Sequence, residues 1–386
     1  MIYIFHWLLV CLILYTYFGY PIILILLGKL NGKNGLSGDF TNNLELPTVD
    51  LLIAAFNEEK VILGKLQNAL SLDYPIDKIR IFVVSDGSSD QTNNIVEDFI
   101  KNHDGVYLIL VDRGGKANAI NKAFPLLTSQ IVLFSDANTE LESGALRLLV
   151  RNFEFSDVGC VSGRLIYRNP GSVLSGVGES FYWKFETALK ILESNLGYIA
   201  GANGAIYAIR RELFEPFKAG TVNDDFTLSM KIVQKGYKSL YEESALAYED
   251  VAPSSKSEFR RHIRDASGHY VAIFHLWKLL NPLRGYSFLV FFSHRFLRWS
   301  VPFYLIVLFL LDAYLMDKFL YYCLFVMQLS FYASALLGLI MVRYGRVPFI
   351  FYAPYYFCNL NFALFIGFFK ALVGRQITQW NSTERV

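Results

Sequence analysis

The 386-residue chain is 53% hydrophobic and 16% aromatic with only 18% charged residues, which excludes intrinsic disorder and an ordinary, fully soluble protein. Its 36 Lys and Arg nearly balance 34 Asp and Glu, and a formal charge of +2 excludes the strongly basic surface that a nucleic-acid binder needs. Most charges fall between about residues 47 and 280, so the rest of the chain is predicted to lie in lipid. Cys11, Cys160, Cys323 and Cys358 are widely spaced and mostly within apolar runs, which fits buried thiols better than a disulfide framework or a zinc site.

Residues 1–28 are predicted as a transmembrane helix. They are apolar apart from His6 and a few Tyr and Thr, long enough at about 1.5 Å per residue to cross a hydrocarbon core of about 30 Å. The absence of a basic leader and of a small-residue cleavage site disfavours a signal peptide. Lys29 and Lys33 follow the span, which places the next domain on the cytosolic side. Residues 29–46, rich in Gly, Asn and Ser, read as a tether.

From residue 47 the pattern changes to short β-rich runs at 48–56, 79–85, 106–111 and 131–135, separated by helical periodicity at 58–71 and 91–102. Further helices are predicted at 172–193, 224–236 and 258–280. This is an α/β domain with a mostly parallel sheet over 47–280, long enough to bury a full core. Residues 281–300 place His294, Arg295 and Arg298 on one helical face and are predicted as an interfacial helix. Residues 301–374 form a C-terminal transmembrane region whose last segment is interrupted by Pro354, Asn359 and Asn361. Arg343, Arg346, Lys370, Arg375 and Arg385 flank its ends, and residues 375–386 form a tail.

Five motifs within 47–280 can carry chemistry. Asp86-Gly87-Ser88-Ser89-Asp90 closes a strand, so Asp86 is predicted at the crevice where open α/β sheets bind ligands, accepting hydrogen bonds from a base or ribose; a plain capping turn is the alternative. Asp136-Ala137-Asn138 closes another strand and presents two oxygen-bearing side chains to a divalent cation, Mg²⁺ or Mn²⁺, although an Asx-turn explains the pair equally well. Gly114-Gly115-Lys116 opens a helix where amides and an ammonium can meet phosphate, or it is simply a solvated helix start. Asp224 and Asp225 open a helix as adjacent acids; this suits the helix dipole, but neighbouring acids also raise one another's pKa and suit one to act as a general base. Arg261 and Arg264 share a helical face and can clamp a diphosphate or anchor to anionic lipid.

The ordered set Asp86, Asp136 and Asp225, between apolar segments, resembles the membrane-embedded family 2 glycosyltransferases, the group containing cellulose, chitin, hyaluronan and poly-N-acetylglucosamine synthases. The resemblance implies a GT-A-like, Rossmann-like cytosolic domain that binds a nucleotide-sugar, with UDP the expected nucleotide. By it, Ala55, Asn57 and Glu58 lie in the nucleotide-contacting turn, Asp86 binds uridine, Asp136 and Asn138 hold the metal, and Arg264 matches a family arginine, while Lys116 and Arg261 keep the phosphate roles read from the residues themselves. Asp225 becomes the base beside Asp224, and Gly201, Ala202, Asn203 and Gly204 line the acceptor pocket. Two departures stand out: Asn138 replaces a second metal-motif aspartate, and Arg261 and Asp265 replace the Gln and Trp of the processive members' Gln-x-x-Arg-Trp segment. The tail from Trp380 to Arg385 resembles a Trp-x-x-Thr-x-Arg ending of some relatives. The resemblance implies an inverting transfer to a glycan or lipid-linked acceptor at the membrane, by a polysaccharide synthase or a single-addition transferase. A non-catalytic nucleotide-sugar-binding partner of a polysaccharide-export complex is the remaining alternative.

Overall fold

The computed structural model describes residues 1–30, 45–168, 176–250, 255–342, 344 and 347–374. Most of the predicted tether, the C-terminal tail from Arg375 and the flanking Arg343 and Arg346 lie outside the described residues. The described elements fall into two compact units.

The first unit is an α/β sandwich. Its strands are β1 (Val49–Ala55), β2 (Ile79–Asp86), β3 (Val106–Val111), β4 (Ile131–Asp136), β5 (Glu140–Leu141), β6 (Val158–Arg168), β7 (Tyr207–Arg210) and β8 (Lys238–Asp250). They form one sheet in the order β3-β2-β1-β4-β7-β6-β8-β5. The predicted parallel arrangement holds for β3, β2, β1 and β4. Beyond β4 the sheet is mixed: β7 runs antiparallel to both neighbours, β8 pairs in parallel with β6, and β5 pairs antiparallel with β8.

Strand β1 shows why this half reads so clearly as sheet. Every residue in it is buried, as expected of a central parallel strand covered on both faces. Val49, Leu51 and Ile53 pack into one apolar layer with Ile62 and Leu66 of helix α1 (Ile62–Leu70) and Val96 and Phe99 of α2 (Thr92–Ile100). Leu52 and Ala54 point the other way, onto Ala119, Ile120 and Ala123 of α3 (Lys116–Ala123) and Leu228 and Ile232 of α4 (Asp224–Gln234). Burial of each large aliphatic side chain contributes about 1.5–3 kcal/mol. A further helix, α5 (Ala145–Arg151), adds Leu146 and Leu149 to the first layer.

Strands β6 and β8 escape a pattern reading because close packing interrupts their periodicity. Gly159 and Gly163 sit inside β6, where an added Cβ would approach Ile232 and the Ala245 carbonyl oxygen to 2.6 Å each. β8 carries Glu242 and Glu243 in its interior and pairs with β6 through register shifts.

The second unit is helical: α6 (Gly176–Ser194), α7 (Ser255–His275), and four helices that are, among the described residues, long and apolar enough to cross a membrane. These four are α8 (Ile2–Leu30), α9 (Tyr286–Tyr314), α10 (Phe319–Val342) and α11 (Phe349–Leu372). The predicted interfacial segment at 281–300 lies largely within one continuous helix, Tyr286–Tyr314, in which His294 and Arg298 turn inward to Glu186. Pro354 does not break α11. It removes the donor for the Ile350 carbonyl, and Ser334 Oγ of α10 donates to that carbonyl instead at 3.0 Å. α7 and α11 approach closely at Gly367, where a Cβ would lie 2.5 Å from that of Ala266. The stretch 47–280 is thus shared between the units, since α6 and α7 belong to the helical one.

Candidate active site

The carboxyl ends of β1, β2 and β4 lie side by side, and the chemistry-bearing loops follow from them. Ala55 ends β1 opposite Ser85. Asn57 takes a left-handed conformation (φ 52°), and its Oδ1 accepts from the Ser89 amide at 2.8 Å. The amide of the buried Glu58 donates to Thr92 Oγ1 at 2.8 Å, so these residues knit the loop after β1 to the loop after β2. Asp90 accepts from the amide of Thr92, the first residue of the following helix, at 3.0 Å.

Asp86 is fully buried, and its carboxylate accepts from Arg113 Nη1, from the Gly114 amide at 2.8 Å and from the Gly115 amide at 2.9 Å. A carboxylate taken fully out of water must be satisfied internally, and here it shapes residues 113–115. The Arg113 guanidinium lies 3.3 Å above the centre of the Phe56 ring, a cationic stack at the strand ends.

That same loop delivers Lys116. Gly115, at φ 89°, turns the chain into α3, and Lys116 is the helix's first residue. Its Nζ donates to Asp136 Oδ1 at 2.7 Å and lies 3.5 Å from Asp224 Oδ2. Burial opposes the lysine's charge, yet Asp136, Asp224 and Asp225 together hold its pKa above the ordinary value. Asp224 Oδ2 is buried without a hydrogen-bond partner, and burial pushes that carboxyl's pKa up against the pull of Lys116. Asp225 is raised to about 6 by burial and by Asp224.

The turn at 201–204 closes the site. The Ala202 amide donates to Ser229 Oγ at 3.0 Å and the Asn203 amide to Ser162 Oγ at 3.1 Å, which ties the turn to α4 and β6. Gly201 has φ 123°, and the Gly204 amide donates to Asp225 Oδ2 at 2.7 Å. A Cβ on Gly204 would lie 3.2 Å from that oxygen and 3.5 Å from Lys116 Nζ, so only glycine leaves the space beside the acid open.

A third support lies beneath the turn after β4. Lys65 of α1 is buried and donates to Ser135 Oγ at 2.7 Å and to the Thr139 carbonyl at 2.6 Å, gripping Asp136-Ala137-Asn138 from both sides. Burial lowers its pKa to about 7, with Asp136 and Glu140 opposing. Asn138 Nδ2 donates to Glu249 Oε1 of β8 at 2.5 Å. Neither Lys65 nor Glu249 was legible as a site residue. Lys65 sits on an otherwise amphipathic helix, and Glu249 ends a strand whose pattern is broken.

The carboxylate of Asp136 and the amide oxygen of Asn138 are hard donors that fit Mg²⁺ or Mn²⁺. Among the described residues, no group of three or more His, Cys, Asp and Glu stands ready to hold a metal. The donor set therefore suits a cation that keeps water and phosphate oxygens in its shell, not a protein-only cage. Arg261 and Arg264 belong to the helical unit, on α7, where Arg264 donates to Asp265 Oδ1 at 3.2 Å.

Residues 47–268 match the family described as Glycosyltransferase like family 2. The poly-beta-1,6-N-acetyl-D-glucosamine synthase of Staphylococcus epidermidis is 26% identical over 250 residues, covering 64% of this chain and 60% of that protein. The protein of the same name from Staphylococcus aureus (strain COL) is 25% identical over 270 residues, covering 69% and 64%. The chain thus spans less than two thirds of the length of these curated relatives. In fold, it is similar to the mannosyltransferase PcManGT from Pyrobaculum calidifontis, solved in complex with GDP-Man and Mn²⁺. The TM-score is 0.70 at 22% identity, over 96% of this chain and 99% of that one. Because the family match runs through all eight strands that position the acids and Lys116, this chain belongs to the family 2 glycosyltransferases.

Proposed function

We propose that this chain is a membrane-bound transferase that moves a sugar from a nucleotide-sugar, with a UDP-sugar as the first candidate, to a hydroxyl of a growing glycan or lipid-linked acceptor, with inversion at the anomeric carbon. The observation that carries this reading is the convergence of Asp136, Asp224 and Asp225 on Lys116 at the strand ends. Asp225, raised to about 6, is deprotonated at neutral pH and still basic enough to take a proton from an acceptor hydroxyl. Its second oxygen is fixed by the Gly204 amide, so the base is oriented before the acceptor arrives. Lys116 stays charged and offers its ammonium to the departing diphosphate, whose negative charge grows as the glycosidic bond breaks. Arg113, stacked on Phe56 at the neighbouring strand end, gives the nucleotide portion a flat cationic surface. A divalent cation held by Asp136 and Asn138 would add further charge stabilisation at the diphosphate. A single base suffices for inversion.

Four apolar helices suit a bilayer, and Lys29 in the last turn of the first supports a cytosolic side for the sheet unit. One observation favours a single-addition variant of this reading. Asp265, engaged by Arg264, stands where processive relatives carry a Trp, so it offers no aromatic platform for a sugar chain. The test uses the full chain in detergent with Mn²⁺, UDP-GlcNAc and GDP-mannose among a panel of donors, and candidate acceptors, measuring released nucleotide and product length. Donor turnover that disappears in Asp225→Asn supports the proposal. Turnover that survives this change, or no turnover with any donor, overturns it. Product length separates repeated from single addition.

A further inference from the structure

Asn138 occupies a position where a charged aspartate would be the stronger metal ligand, and the neighbouring strand explains the amide. β5 pairs with β8 so that Glu140 faces Tyr248 and Leu141 faces Ala247, which brings Glu249 level with the turn that follows Asp136. There Glu249 Oε1 accepts from Asn138 Nδ2 at 2.5 Å. An ionised carboxylate only accepts hydrogen bonds, so the amide must turn its NH₂ to Glu249 and its Oδ1 away. The rest of the turn cannot swing to compensate: Lys65 holds the Thr139 carbonyl and Ser135 Oγ, and the Thr139 amide donates to the Asp136 carbonyl at 3.2 Å.

The geometry points to Glu249 as a positioning residue for the divalent-cation site: it aims Asn138 Oδ1 at the cation and supplies, one strand away, the negative charge that Asn138 lacks. Asn138 and Glu249 then act as a couple, in which an oriented neutral ligand is backed by an anionic partner, as outer-shell carboxylates back metal-bound groups elsewhere. An aspartate at 138 would set two carboxylates against each other at hydrogen-bond distance. The amide is therefore required by Glu249 and is not a weakened acid. This inference rests on the reading that the Asp136 site takes Mg²⁺ or Mn²⁺.

The test is Mn²⁺ binding to the full chain in detergent, followed by the electron paramagnetic resonance signal of free Mn²⁺, with the metal alone and with UDP or GDP present. Glu249→Ala is expected to weaken Mn²⁺ binding by about 10- to 100-fold. Asn138→Asp, which adds a charged ligand, is expected to weaken binding as well, because its new carboxylate faces Glu249. The double change Asn138→Asp with Glu249→Gln lets the glutamine amide donate to the aspartate, and it is expected to restore binding. Recovery in the double variant also separates lost orientation from misfolding. An Asn138→Asp protein that binds Mn²⁺ more tightly than the wild type, an unchanged affinity in Glu249→Ala, or a double variant that fails to recover would each overturn the inference while leaving the cation site standing. A wild type that takes up no Mn²⁺ with or without nucleotide, or an Asp136→Asn variant that binds as well as the wild type, would remove the cation reading and this inference with it.

Discussion

Among the described residues of the helical unit, the buried Glu186 takes Arg298 and His294, and the buried His6 has Nε2 2.7 Å from Asp312. In the sheet unit one ammonium, Lys116, faces the three carboxylates of Asp136, Asp224 and Asp225, and an oxygen of Asp224 is left without a hydrogen bond. The balanced groups sit on helices that suit a membrane or on the helix packed with them, where an unpaired charge is costly. The unbalanced group keeps an acid poised near neutrality and leaves room for further positive charge. Charge imbalance, more than burial, separates the part of this molecule built for chemistry from the part built for packing.

Substitutions test that contrast. The largest effect is expected from Asp225→Asn, which should lower kcat for sugar transfer by about 10²- to 10⁴-fold while nucleotide binding, followed by calorimetry, changes little. If kcat falls by less than tenfold, the base lies elsewhere. In the helical unit the loss should appear as stability. Arg298→Met removes from the buried Glu186 its ion-pair partner, leaving His294 and the field of Arg295, and it should destabilise the fold by about 3–5 kcal/mol, read as a lower unfolding temperature in detergent. Restored stability in Glu186→Gln with Arg298→Met would confirm a pair that serves packing; a donor affinity lost along with stability would blur the contrast.

The pH profile should follow the acid cluster. As the proposed base, Asp225 acts ionised, so kcat/KM should fall about tenfold per pH unit below about 6 and level off above it. Because its folded-state pKa is raised, the native state keeps a proton between pH 3.8 and about 6 that the unfolded chain loses, and stability should decline as pH rises through that window. Asp225→Asn should therefore raise the unfolding temperature at neutral pH even as it abolishes transfer, by about 2–4 °C for each kcal/mol of relief. A lower unfolding temperature would mean that the carboxylate is stabilised in place and not strained. The smallest change is expected from Lys65→Met, which keeps the buried stem but frees Ser135 and the Thr139 carbonyl. Mn²⁺ affinity should drop by about tenfold with little effect on donor affinity measured without metal.

Much of the sheet unit was legible along the chain because its first half is regular. Strands β1, β2 and β4 are largely apolar runs ending in an acid or a small residue, and the motifs hang from those ends. Lys116, Asp136, Asp224 and Asp225 could be singled out because each opens a helix or closes a strand in that register. Glycines inside β6 and glutamates inside β8 hid the second half, since their spacing answers to close neighbours and not to a single solvent face. In the helical unit apolarity announced the segments, while the partner of His294 and Arg298 was not legible because Glu186 lies more than a hundred residues away.

By itself the amino-acid order determined which segments suit lipid, which strands build the parallel half of the sheet, and which acids stand at strand ends, because hydrophobic period and turn chemistry are local properties. Only the tertiary structure decided that Asp86 holds a loop, that Lys116 sits among three carboxylates, and that Lys65 and Glu249 grip the turn after Asp136. Those roles depend on which distant group completes a hydrogen bond or removes water, and that is settled when sheet register and helix packing bring the partners within about 3 Å.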